Sequence, residues 1–210
     1  MAYTKEVLER QVELQKLYLR NMQIIKWRLN AIRDIQTGDR KTTYRMTNIE
    51  FCVLQIRKIL ELIAFSSLVS DADVYREKLS KIDSMWNARL IFRDIERIHP
   101  DFYPKPIRID PKDKSIWHDI EDGYLTKDEF IKIYDKCGKY LHENSPFMSN
   151  QEIDHMYNEV WNQITDWGTK IINLLNTHIV CLYNQTDLFL IQMGDPPSGN
   201  IFTNVVDVND

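Results

Sequence analysis

The 210-residue chain is predicted to be a mainly α protein: a helical bundle of about five helices with a small C-terminal β-hairpin or meander. Three observations carry this expectation. Only six glycines are present and long stretches lack proline, which favours helix over a turn-rich β architecture. Apolar residues recur at spacings of three and four through most of the chain. From His178 onward the text changes to β-branched and aromatic runs punctuated by Asn, Asp, Gly and Pro.

From Thr4 to about Gln36, Val7, Leu8, Val12, Leu17, Ile24, Ile25, Leu29 and Ile32 alternate with Lys, Arg and Glu, the pattern of one long amphipathic helix. The polar stretch Thr37 to Thr43 breaks it. Thr47 and Glu50 have the spacing of a capping box, opening a second helix through about Val69. Ile56, Ile59, Leu60, Ile63, Ala64 and Leu68 make that helix the expected centre of the bundle, with Arg57, Lys58 and Glu61 as charges to be placed on a face. A third helix is expected from about Asp71 to Ile98. Pro100, Pro104, Pro106 and Pro111 then exclude helix from His99 to Pro111, which reads as an ordered crossover loop. Thr126 with Glu129, and Ser149 with Glu152, are two more capping boxes, starting helices that reach His142 and about Leu175. His178–Tyr183 and Leu188–Met193 read as a hairpin, and Ile201–Val206 as a third strand. Residues 1–177 are thus expected to form the helical domain and 178–210 a β appendage packed on it.

Composition narrows the function. With 27 basic and 31 acidic side chains the formal charge is −4, so no global positive field draws the chain to nucleic acid or anionic lipid. The N-terminal stretch has no apolar signal core and no run reaches the ~18 apolar residues of a membrane span, so a cytoplasmic protein with no membrane partner is expected. Cys52, Cys137 and Cys181 show no C-x-x-C spacing and fit reduced thiols. No Gly-rich phosphate loop, H-E-x-x-H or G-x-S-x-G is present, and no cofactor or metal is expected.

Several patterns invite chemistry and have a plainer account. Asp122 to Phe130 has the back half of a calcium loop, but His118 and Ile120 stand where its first carboxylates belong, and the capping box explains Thr126 and Glu129. Glu96 with His99, and Glu152 with His155, have the Glu-x-x-His spacing of di-iron bundles, yet each lies at a helix end. Trp86, Trp117, Trp161 and Trp167 sit among apolar residues at helical spacing and read as core rather than a base-stacking platform. Cys137 beside Lys136 reads as a small core filler.

The string Lys136-Cys-Gly-Lys-Tyr-Leu-His142-Glu-Asn144 resembles the HEPN superfamily of helical bundles, whose signature is an arginine followed four to six residues later by histidine. Here lysine stands for arginine, five residues intervene, and Cys137 replaces the polar residue that often follows. Arg93-Asp94-Ile-Glu-Arg-Ile-His99 fits the literal spacing with a true arginine. Arg57-Lys-Ile-Leu-Glu61 and Pro100-Asp-Phe-Tyr-Pro-Lys-Pro106 extend a likeness to uncharacterised bacterial proteins over about residues 45 to 195. The resemblance implies an RNA-directed protein, a metal-independent endoribonuclease or an RNA-binding relative, often homodimeric and tied to toxin or antiviral defence systems. It would make His142 the acid or base, its ordinary pKa of about 6.5 suiting both roles. Lys136 would meet the charge developing on phosphorus, Asn144 would orient phosphate or ribose, and Arg57, Arg89 and Arg93 would contact RNA. Against catalysis, positions six apart lie about 120° around a helix, and lysine lacks the fork of arginine. The alternative is a non-catalytic module of the same fold with a cognate protein partner, in which His142 closes the helix and Asn144-Ser-Pro146 makes the turn.

Overall fold

The computed structural model describes residues 5–70, 72–78, 87–182, 187–194 and 199–207. Along them run α1 (Lys5–Thr37), α2 (Arg45–Ser70), α3 (Ala72–Lys78), α4 (Ala88–Glu96), β1 (Lys105–Ile109), β2 (Trp117–Asp119), α5 (Lys127–Tyr140), α6 (Asn150–Leu175), β3 (Thr177–Cys181), β4 (Asp187–Gln192) and β5 (Phe202–Asp207). The protein is mainly helical with a small antiparallel sheet, as the periodicity predicts.

α2 is apolar on nearly every side and therefore lies in the middle. Ile49, Cys52, Val53, Ile56, Ile59, Leu60, Ile63 and Ala64 are buried, and α1, α4, α5 and α6 all pack on it. α1 turns Leu14, Tyr18, Met22, Ile25 and Ile32 inward. Val12 and Leu17, expected on that stripe, are exposed, because each residue step turns about 100° around the axis and carries them off the angle set by Leu14 and Tyr18.

The Thr126 and Ser149 capping boxes both form, each side chain accepting from the amide three residues on while the glutamate reaches back to the cap amide. The expected box at Thr47 does not. α2 begins at Arg45, the Thr47 hydroxyl donates to the Tyr44 carbonyl at 2.8 Å, and Glu50 accepts the Tyr157 hydroxyl at 2.6 Å. A tertiary partner has taken the carboxylate that the local pattern assigns to the cap.

Nor is the expected helix from Asp71 to Ile98 continuous. α4 opens anew after Asn87, which is extended and accepts from the amides of Arg89 and Leu90 through its side chain, the role asparagine prefers to a helix interior. Thr4, Asp71, Trp86 and Tyr183 lie outside the described residues. The proline-rich segment expected as loop contains β1. Pro106 has no amide to give, but β1 pairs with β3 only through Lys105 and Pro106 and with β2 through Ile107, Arg108 and Ile109. Proline breaks a helix, yet it is tolerated near the start of a short strand.

The sheet is antiparallel throughout, in the order β2-β1-β3-β4-β5. Alternation along its strands separates two faces. Val180, Phe189 and Ile191 join the bundle core, whereas Ile107, Ile179 and Leu190 cluster on the other face with Trp117, Leu188 and Val206.

Two buried polar groups bind α1 to the sheet. His178 bridges the Tyr18 hydroxyl through Nε2 and the Leu175 carbonyl through Nδ1, both at 2.9 Å. A carbonyl only accepts, so Nδ1 carries the proton and Nε2 accepts from Tyr18. Lys26, 3% exposed, donates to the carbonyls of Met193 at 2.7 Å and Gly199 at 2.6 Å, clasping both ends of the β4–β5 connection. Gly194 in that connection has φ +66, and a Cβ there would stand 2.5 Å from the Asn200 carbonyl oxygen, so only glycine fits.

Burial pulls the His178 pKa down to about 4, below the ordinary value near 6.5 that an unfolded chain would show. Between those values the unfolded chain binds a proton that the folded chain refuses. Stability is therefore complete above about pH 6.5 and falls as the pH drops toward 4, by about 3 kcal/mol. Thermal melts across this range are expected to show that slope, and His178→Gln to flatten it; an equal slope in the variant would place the acid sensitivity elsewhere.

Candidate functional site

The segment that resembles a HEPN motif is the last turn of α5 and the loop into α6. α5 is set by its Thr126 cap and tied to α6 by Lys170, whose ammonium lies 2.7 Å from Glu129 and holds that carboxyl below the usual range. Phe130, Ile133, Tyr134, Cys137 and Tyr140 form its buried stripe at the spacing of one helix face. Burial pushes the Cys137 thiol up to about 12, so it is a neutral core filler at physiological pH, as the sequence suggests.

Gly138 has a different purpose. The Arg57 guanidinium of α2 lies against α5 at this point, its Nη1 3.1 Å from where a Cβ of residue 138 would stand. Arg57 donates through Nη2 to the Tyr134 hydroxyl at 3.0 Å, sits 4.3 Å from the centre of the Tyr134 ring, and has Nε 3.4 Å from Glu61. Glu61 also takes Lys58 at 2.8 Å. The Ala88 amide at the start of α4 faces the same tyrosine. The strings Arg57–Glu61 and Tyr134–Gly138, far apart in the sequence, are therefore two sides of one contact. A lone glycine inside a helix is the signal that announces such a close approach.

The residues that the resemblance makes catalytic lie on the last turns of α5 and in the loop that follows. Lys136 is exposed and donates to Gln163 of α6 at 3.2 Å. His142 is exposed beyond the helix end, and the closing bonds come from the Leu141 amide to the carbonyls of Cys137 and Gly138. Asn144 lies beside Tyr157, whose hydroxyl pKa is raised first by burial and then by Glu50. Among the described residues no hydrogen bond or ion pair joins Lys136, His142 and Asn144 to one another. The arginines expected to contact RNA each face a carboxylate: Arg57 with Glu61, Arg89 with Asp135 at 2.9 Å, and Arg93 with Asp94 at 2.9 Å. In the second string Arg93 is exposed while His99 is buried, so the two share no surface.

Glu96 pairs with Lys127 and Glu152 caps α6. Among the described residues no group of three or more His, Cys, Asp or Glu is arranged to hold a metal ion. Trp167 is buried, Trp117 and Trp161 half-buried. Trp27, which the apolar periodicity does not single out, is 63% exposed on α1.

The same end of the bundle carries exposed apolar side chains that no sequence pattern announces. Phe147, in the α5–α6 loop, is 95% exposed, and Tyr44 and Met46 at the start of α2 are 69% and 45% exposed. Arg45 bonds Asn158 of α6, and the Tyr157 hydroxyl donates to Glu50, tying α6 to α2 beside the loop. A shallow cleft of about 520 Å³ runs along this stretch of α6, lined by Ser149, Glu152, His155 and Asn158 among others. No protein-family model, curated protein or solved structure matches the chain.

Two glycines placed differently test whether Arg57 is the reason for Gly138. Gly168, mid-helix in α6, has no atom within 4 Å of the place a Cβ would take, so Gly168→Ala is expected to stabilise by about 1 kcal/mol through helix propensity alone. Gly138→Ala is expected to forfeit that gain in wild type and to recover it in Arg57→Ala. Equal effects in both backgrounds, read from denaturant melts, would dismiss the Arg57 contact as the reason for the glycine.

Proposed function

We propose that this chain is a non-catalytic interaction module that engages a protein partner through the α5–α6 loop and the adjoining start of α2. The observation that carries this reading is Phe147, 95% exposed, directly after Pro146 on the same bundle end as Tyr44 and Met46. Aromatic and methionine side chains supply the anchors of protein interfaces, and His142, Asn144 and His155 would form a polar rim. A formal charge of −4 and the pairing of Arg57, Arg89 and Arg93 with carboxylates favour a protein over a polyanion.

Affinity capture from the source organism, with wild type and Phe147→Ala as paired baits of equal melting temperature, tests the assignment. A partner held by wild type is expected to bind the variant about 30-fold more weakly, the loss of about 2 kcal/mol usual for a hot spot. Indifference of every captured protein to Phe147 would reject the loop as the contact surface.

A second reading keeps the HEPN-like, RNA-directed expectation, as a metal-independent endoribonuclease of a toxin or defence system. What favours it is that His142 is exposed with Asn144 two residues away, accessible to RNA and to a second copy that would complete the site. Cleavage of a mixed RNA pool in EDTA by wild type, lost in His142→Ala, would establish this reading and displace the first.

A further inference from the structure

We propose that the open edge of β5 pairs with the β5 edge of a second copy of this chain, antiparallel and centred on Asn204, to make one continuous sheet across a two-fold axis. This edge shares no residue with the α5–α6 loop.

The two edges of the sheet differ. β2 spans three residues and carries Asp119, beside the turn that holds Asp110 and Asp113; short, charged edges resist further pairing. β5 spans six residues, Phe-Thr-Asn-Val-Val-Asp, without lysine, arginine or proline. Its register with β4 is unbroken from Asp187 opposite Asp207 to Gln192 opposite Phe202, so no bulge twists the edge away. Among the described residues no strand lies beyond it. A straight edge presents alternating N–H and C=O groups that another extended strand matches at their own spacing.

The side chains specify which strand. Phe202 and Val205 are 59% and 42% exposed. Read about Asn204, the sequence is self-complementary: Phe202 falls opposite Val206 of the second copy, Thr203 opposite Val205, and Asn204 opposite its own counterpart. Phe202, Asn204 and Val206 share the face opposite Gln192, Leu190 and Leu188. Each phenylalanine would thus extend the apolar row of Leu188 and Val206 on that face, and aromatic with β-branched residues is a favourable cross-strand pair. Centring the pairing on Val205 instead would carry Phe202 past the end of β5. A two-fold axis uses one patch twice, as isologous dimers do.

Light scattering on the full chain from low to high micromolar concentration is expected to give twice the chain mass. Asn204→Lys and Asn204→Glu each place like charges on the axis and are expected to give the monomer mass, with unchanged circular dichroism and melting temperature. Mixing the two variants is expected to restore the dimer. A monomeric wild type, a dimer that survives both substitutions, or a mixture that stays monomeric overturns the proposal. If either variant unfolds, amide exchange of 202–207 in wild type decides: slowing with concentration supports the edge, and exchange that ignores concentration overturns it.

Discussion

A helix that is apolar over most of its circumference cannot lie on a surface, and α2 imposes that constraint on the rest of the chain. Its buried residues cover more than half of the turn around the axis, so α1, α4, α5 and α6 are needed to keep water from it. Polar groups on the buried side of α2 are satisfied within this packing. Ser66 and Ser67 return their hydroxyls to carbonyls four residues back, Gln55 accepts from Arg28 of α1 at 2.6 Å, and the cluster of Arg57, Lys58 and Glu61 emerges between α4 and α5. Gly138 follows from that emergence, since α5 comes close to α2 where the guanidinium must lie.

The sheet is joined to this bundle by polar contacts as well as apolar ones. An apolar face alone would allow the strands to slide, whereas a buried donor that loses its acceptor carries the cost of its desolvation. Among the described residues, the acceptors of Tyr18 and Lys26, both on α1, are His178 on β3 and the carbonyls that flank the β4–β5 connection. These bonds fix the sheet's position along the bundle. They also make the junction sensitive to acid, because protonating His178 removes the lone pair that Tyr18 requires.

The stretch that looks most like a catalytic motif is largely accounted for by packing. Cys137 fills the core, Gly138 admits Arg57, and the Leu141 amide closes the helix, leaving His142 outside. Residues that carry a family signature can thus be held by the fold before any reaction is considered. What packing does not explain lies farther along the loop and at the sheet edge: an exposed phenylalanine at 147, and a six-residue edge strand with no partner beyond it among the described residues. Both are features of surfaces that meet other chains.

The amino-acid sequence by itself determined the helices, the boxes at Thr126 and Ser149, the central place of α2 and the strands after residue 176, because each is written in residues that interact within a few positions of one another. The Thr47 box, the unbroken third helix and the loop at 99–111 fail for a common reason. Glu50 has a better partner 107 residues away in Tyr157, Asn87 is a cap inside a run that reads as helical, and the prolines announce only what β1 cannot be. Tertiary structure alone decided that Arg57 lies on Gly138, that His178 meets Tyr18 across 160 residues, and that Lys136 bonds Gln163 of α6. Periodicity encodes which face of an element turns inward, but the partner it finds there depends on how distant elements pack, and local spacing carries no record of that.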